Sequence, residues 1–237
     1  MNILELIQSY ATRYYNAFFL ENRYTVYLEG IGHTLLVSLF AVLLGVLIGV
    51  ITASIKYAAK EKPNPIINAL SKLCGLYITV VRATPVYLQI FIIANLIFTA
   101  RDMEIYAAIT CFGINSGAYV SEIIRAGIES VDKGQVEAGQ SLGLGDSTIM
   151  AHIVLPQALK NILPALGNEF ITLIKETAVA GAIAVTDLTK AAEYIGSRTF
   201  DPLPPLFIAA AGYLVIVLGL QKLLKIFERR LAASDHH

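Results

Sequence analysis

Apolar residues in this chain come in long runs rather than in alternation. Gly30 to Ile55 carries no formal charge, with His33 its only ionisable residue. Ala83 to Ala100 is a second uncharged run, and its apolar character reaches back through Tyr77 to Val81. Ile105 to Ser121 is a third, continuing helically through Glu122 toward Ile128, and Leu203 to Gln221 is the last. Ile162 to Thr186 is also apolar but is interrupted by Glu169, Lys175 and Glu176, which predicts a span with one polar face. A membrane-crossing helix needs about 20 mainly apolar residues. The pattern therefore predicts an all-α membrane protein with five transmembrane helices. Residues 1–27, with Glu5, Arg13, Glu21 and Arg23 among Tyr and Phe, read as an interfacial segment on the outer side. Residues 28–230 form the membrane domain and 231–237 a tail, whose Asp235-His236-His237 adds nothing to the reading.

Composition agrees. The 237 residues are 56% hydrophobic and 15% charged, with mean hydropathy +0.63, well away from the balance of a soluble domain. Net charge is zero, and no basic run points to nucleic acid. Cationic residues nevertheless divide by side. Lys56, Lys60, Lys62, Lys72, Lys133, Lys160, Lys222, Lys225, Arg229 and Arg230 fall on one side of the five spans. Arg13, Arg23, Arg101, Lys190 and Arg198 fall on the other. Since cytoplasmic loops carry the Lys/Arg excess, the N-terminus is expected outside and the C-terminus in the cytoplasm, with the loop of about 131–163 cytoplasmic. Ala41, Gly45, Gly49 and Ala53 recur at every fourth position, a small-residue face suited to close helix approach. Cys74 and Cys111 lack any metal-ligand spacing and read as free, buried thiols; His33 and His152 stand alone.

The loop carries a spaced pattern. Glu137-Ala138-Gly139 is followed after three residues by Gly143, and after nine more by Ile153 and then Leu155-Pro156. This resembles the EAA loop of ABC-importer permeases, with Gly139 in place of an alanine. Val81-Arg82-Ala83-Thr84-Pro85 resembles the family's RGTP segment, with Ala83 for Gly. Gly117-Ala118-Tyr119 with Glu122 through Gly127 resembles its AYxxExxRxG stretch, and Leu173-Ile174-Lys175-Glu176-Thr177 its LIKxT stretch. Together the matches cover about residues 30–230 and point to the polar amino acid uptake branch of ABC permeases.

The resemblance implies a type I importer permease with a cytoplasmic coupling helix between spans 3 and 4. Glu137, Ala138, Gly139, Ser141, Leu142, Gly143 and Pro156 are its candidate ATPase-coupling residues. Residues 137–142 can form a short helix that Gly143 and Gly145 end, since glycine readily takes the left-handed conformation there; Pro156 and Pro164 would break the return path into short pieces. Implied partners are a pair of cytoplasmic ATP-binding cassette ATPase subunits, a second permease copy (identical or related) and an extracytoplasmic amino-acid-binding protein, in a bacterial cytoplasmic membrane. No phosphate-binding G-x-x-x-x-G-K-[ST] loop occurs in the chain. ATP is therefore expected to bind the partner, and this subunit to use no cofactor or metal and to be no enzyme.

Ionisable groups inside a span usually face an interior or aqueous cavity. Asn115, Tyr119 and Glu122 share one helical face, and Arg125 follows Glu122 by three positions. Glu122 could hold the ammonium of a zwitterion, with Arg82 or Arg125 meeting its carboxylate through a bidentate fork. Asn115, Ser116 and Tyr119 could read the side chain, and Thr172 and Glu176 could complete the cavity. Alternatively, Glu122 and Arg125 simply pair with each other, and Glu169 and Lys175 are structural. The carboxylates tilt the reading toward a basic amino acid such as arginine, lysine or histidine; glutamine or another neutral polar amino acid is the alternative. An ion-coupled carrier working alone is more distant, because no inverted repeat is visible.

Overall fold

A computed structural model gives the architecture. It describes residues 2–61 and 63–233; Lys62 and the Asp235-His236-His237 tail of the sequence reading lie outside them. Ten α-helices occur among the described residues: α1 (Ile3–Phe18), α2 (Tyr24–Glu61), α3 (Pro65–Ala83), α4 (Val86–Leu96), α5 (Glu104–Glu129), α6 (Lys133–Ser141), α7 (Asp146–Ile149), α8 (Leu155–Glu176), α9 (Leu188–Thr199) and α10 (Leu203–Ala233). Four segments are long and apolar enough to cross a membrane: residues 20–61, 65–83, 146–183 and 203–231. Their outer faces keep many large apolar side chains exposed, such as Leu43, Leu47, Leu73, Leu76 and Val215. In water that would be costly, whereas in a bilayer it is the lipid-facing surface.

The axis of the bundle is α5, the most enclosed helix, which packs chiefly on α2. The small-residue face is the reason the two approach closely. A Cβ added at Gly45 would lie 2.8 Å from the Ser116 side chain, and one at Gly49 2.5 Å from Val120. The fit is reciprocal, since Gly113 and Gly117 of α5 receive Leu44 and Ile48 of α2. The register advances together along both helices, so α2 and α5 run parallel. Helix α8 runs antiparallel to α5, with Gly127 against Ile162 and Ser116 against Glu169. Phe112, Cys111, Ala107 and Ala108 of α5 pack with Val37, Ile90 and Leu173 in the main core. Both cysteines are free, but only Cys111 is buried; Cys74 on α3 is half-exposed.

The expected continuous helix across residues 77–100 is two helices. Pro85 has no N–H to donate, and its ring pushes the preceding residue out of the helical region. Thr84 is accordingly extended, with φ −113° and ψ 145°. The prolines of the return path act differently from expectation. Pro156 stands in the first turn of α8, which continues directly from a π-helical turn over Met150–Val154, and Pro164 is carried inside α8, which runs unbroken for 22 residues. Of the two glycines expected to end the loop helix, only Gly143 is left-handed (φ 75°). Gly145, extended at φ −73° and ψ 152°, instead precedes α7.

At the opposite end from α6, a second cluster joins Tyr27, Leu188, Ala191, Ile195 and Ala209. Asp187 organises it: the buried carboxylate accepts from the backbone N–H groups of Thr189 and Lys190 (3.0 Å each) and from the Tyr213 hydroxyl (3.0 Å). Leu188 N–H donates to Thr34 Oγ1 (3.2 Å), and His33 Nδ1 contacts the Thr186 carbonyl (2.9 Å), so the lone histidine ties α2 to this connection.

Helix α1 is fastened to the same end by a two-pronged ion pair. Arg13 Nε and Nη2 donate to Asp201 Oδ2 and Oδ1 at 2.6 and 2.7 Å. The hydrogen-bonded guanidinium holds the Asp201 carboxyl below its ordinary range. A depressed folded-state value means that the contribution is present above the unfolded carboxyl value of about 3.9 and is lost as pH falls through the folded one. Protection of α1 amides, relative to their intrinsic exchange rate at each pH, should therefore be unchanged between pH 7 and 5 and fall only below about pH 4. Arg13→Ala should show the reduced protection already at pH 7.

Candidate functional site

Along α5, polar side chains are each met by a different helix. Asn115 is 5% exposed, and its Nδ2 donates to Gln89 Oε1 of α4 at 3.0 Å. Gln89 in turn donates through Nε2 to the Val81 carbonyl (2.8 Å) and Thr84 Oγ1 (2.9 Å), bridging the break between α3 and α4. Tyr77 of α3 donates its hydroxyl to the Ile114 carbonyl at 2.6 Å. Fully buried Ser116 donates to Glu169 Oε1 of α8 at 2.8 Å. One turn further, the Arg82 guanidinium lies 5.1 Å from the centre of the Tyr119 ring, a cation–π distance.

Glu122 forms the next level. Its Oε2 accepts from Arg125 Nη2 (2.7 Å) and Nε (3.1 Å), while Arg82 Nη1 stands 3.9 Å away. Arg125 continues to Glu129 at 2.6 Å. The result is a chain of alternating charge, Arg82, Glu122, Arg125 and Glu129, running along an accessible side of α5 toward the α6 end. Arg82 is 43% exposed and, among the described residues, has no closer carboxylate than Glu122, so its fork is open to an incoming anion. Glu122, itself only 22% exposed, is thus shared between the two guanidinium groups, and Arg125 has Glu129 as a second partner.

The remaining sequence candidates sit less centrally. Thr172 and Glu176 are half-buried on α8, and Lys175 is exposed. The expectation that brought Asn115, Tyr119 and Glu122 together on one face describes their spacing, but their contacts go to three neighbours: α4, α3 and Arg125 of α5 itself. Gln89 was not among the sequence candidates. Its signal was present, because it interrupts the apolar run from Val86 to Ala94. Glu169, read from sequence as structural, is the partner of Ser116.

At one end of the bundle, α6 stands on an Asp132 cap whose carboxylate accepts from Gly134 N–H. Gly139 is buried, with an added Cβ only 2.9 Å from Ile149 and 3.3 Å from Ile153. It therefore faces its own return segment, residues 146–154, rather than outward. Glu137, Ala138, Ser141, Gly143 and Pro156 are exposed, and Leu142 is 80% exposed at the tip. Such a solvent-facing leucine beside small side chains makes a knob on a firmly backed helix.

Comparison with known proteins places this geometry. Residues 45–233 match the family model described as "binding-protein-dependent transport system inner membrane component". The putative glutamine transport system permease protein GlnP of Rickettsia typhi is 37% identical over 210 residues, covering 87% of this chain and 93% of that protein. The arginine transport system permease protein ArtQ of Bacillus subtilis is 38% identical over 212 residues, covering 88% and 93%. A chain of the crystal structure of an amino acid ABC transporter with histidines superposes with a TM-score of 0.81 at 37% identity, covering 97% of this chain and 99% of that one. With apolar helices able to cross a bilayer, a polar seam through their centre and a family match over most of its length, the chain belongs to the binding-protein-dependent transport system inner membrane components, the permease subunits of ABC importers.

Proposed function

We propose that this permease lines the path of a polar amino acid, and that the polar seam on α5 is the part of the path contributed by this chain. The observation that carries the reading is the meeting of Arg82, Tyr119 and Glu122 below the part-buried Asn115–Gln89 and Ser116–Glu169 pairs. Hydrogen-bonding groups in an apolar bundle are expensive unless they face one another or a polar solute. An amino acid offers a carboxylate to the open Arg82 fork and an ammonium to the Glu122 carboxylate. Glu169 and Glu176 favour a basic side chain, in keeping with the arginine-named relative. The amides of Gln89 and Asn115 would equally serve glutamine, in keeping with the other.

In this reading the membrane is crossed five times, by α2, by α3 with α4, by α5, by α8 and by α10. The N-terminus with residues 1–27 is outside, the domain of 28–230 spans, and the C-terminus is cytoplasmic. Helix α6 is the coupling helix, and Leu142, with Glu137, Ala138 and Ser141, enters a cleft on the ATPase. Gly139 supports it from behind by letting α6 settle on Ile149. A second permease copy completes the passage, each copy sits on one ATPase subunit, and the binding protein docks on the α9 end.

The test is reconstitution with the cognate ATPase and binding protein in liposomes, followed by ATPase assay against each proteinogenic amino acid. Stimulation by arginine, lysine or histidine supports the basic assignment, and stimulation by glutamine moves it to the neutral one. Indifference to all of them overturns the amino-acid reading.

A further inference from the structure

A second polar feature borders the seam where the end of α2 meets the start of α3. Lys56, Ala59 and Lys60 of α2 face Asn68, Ser71 and Lys72 of α3 across an open cleft of about 400 Å³. The spacing explains the convergence: 56 and 60, and 68, 71 and 72, each fall on one face of their helix. Among the described residues, no carboxylate lines the cleft. Among the described residues, no carboxylate pairs with Lys56, Lys60 or Lys72, and the side chains of Asn68 and Ser71 have no hydrogen-bond partner. On their other side Lys56 and Lys60 border a cavity that Glu122 and Glu129 also line, and both of those carboxylates are already bonded by Arg125. Glu61 follows Lys60 in sequence but does not line the cleft.

Three ammonium groups, which only donate, stand beside an amide and a hydroxyl that can each donate as well as accept, and this is the chemistry that receives an anion. What surrounds the cleft decides which anion. Beyond it, α3 presents Ile66, Leu70, Leu73 and Leu76, which are 73%, 43%, 62% and 61% exposed, and α3 as a whole buries only Ile78. The ligand must therefore carry negative charge at the helix ends and apolar length alongside α3. We propose that this cleft binds the phosphate headgroup of an anionic phospholipid, with its acyl chains along the leucines of α3. Basic pockets between membrane helices at the membrane surface are suited to such headgroups. A phosphatidylglycerol headgroup would place its phosphate between Lys56, Lys60 and Lys72 and its glycerol hydroxyls on Asn68 and Ser71. Because α2 also carries the glycine face against α5, the bound lipid would brace the α2–α3 hairpin from outside the bundle. This proposal rests on the membrane setting of α2 and α3 and is independent of which solute is carried.

The test uses the assembled permease–ATPase complex in nanodiscs of dioleoyl-phosphatidylglycerol and dioleoyl-phosphatidylcholine, with lipid retained after detergent extraction read by native mass spectrometry. The intact complex should retain phosphatidylglycerol in preference to phosphatidylcholine. K56Q/K60Q/K72Q should lower that preference on the order of 100-fold, from about fivefold for each lysine at a membrane surface. K222Q/K225Q, which removes two exposed lysines of α10, should leave it unchanged, and K72Q alone should give the single-lysine effect if the triple variant assembles poorly. An undiminished preference in the triple and single variants would overturn the proposal. So would full displacement of the lipid by millimolar inorganic phosphate, which would make the cleft a site for soluble anions.

Discussion

Replacing Glu122 with Gln is expected to lower amino-acid uptake by about 10- to 100-fold, the range that corresponds to losing one hydrogen-bonded charge. The substitution is nearly isosteric, so α5 should keep its packing on α2 and the complex should assemble at normal levels. What changes is the charge chain. Glu122 Oε2 holds Arg125 at 2.7 Å and stands 3.9 Å from Arg82. With a neutral amide there, two guanidinium groups face each other without the intervening carboxylate, and a substrate ammonium loses its counter-charge. Paired measurement separates the two consequences: initial uptake in proteoliposomes, and the amount of ATPase that co-purifies. Normal uptake at normal assembly would remove Glu122 from the transport path, leaving it a structural partner of Arg125.

Leu142→Asp is expected to have a comparably large effect by a different route. Leu142 is 80% exposed at the end of α6, while the rest of the segment is anchored by Gly139 on Ile149. An exposed leucine contributes nothing to the fold of this chain, so the variant should fold and insert normally. At a protein interface, a central apolar anchor commonly accounts for 2 kcal/mol or more, about 30-fold in affinity. Co-purification of the ATPase should fall by about that factor, and transport with it. Retention of the ATPase at wild-type ratio would place the docking surface elsewhere on the segment. Gly139→Leu makes a useful contrast, because its effect should come through disruption of the loop itself.

Much of the architecture was legible because bilayer length and helical period act locally. Twenty-odd apolar residues announce a membrane helix whatever they pack against, and the four-residue recurrence of Ala41, Gly45, Gly49 and Ala53 announces a close-packing face. Pro85 announced a break through its own chemistry, yet the apolar run on either side hid it. Pro164 carried the opposite lesson, as a proline flanked by good packing stays inside α8. The candidate site was legible by residue type and face, but its pairings were not. Ser116 and Glu169 are 53 positions apart, and Asn115 and Gln89 are 26 apart.

The sequence by itself determined that this is a helical membrane protein, which segments are apolar, where the polar groups interrupt them, and the family pattern of the loop. Each of these is set by the chain within a few turns. Tertiary structure alone decided that α2 and α5 meet in glycine-to-side-chain register, that Gly139 turns inward, and that three lysines from two helices share one cleft. Those outcomes depend on the rotation of each helix about its axis and its offset against neighbours, which packing across the whole bundle fixes and no local stretch encodes.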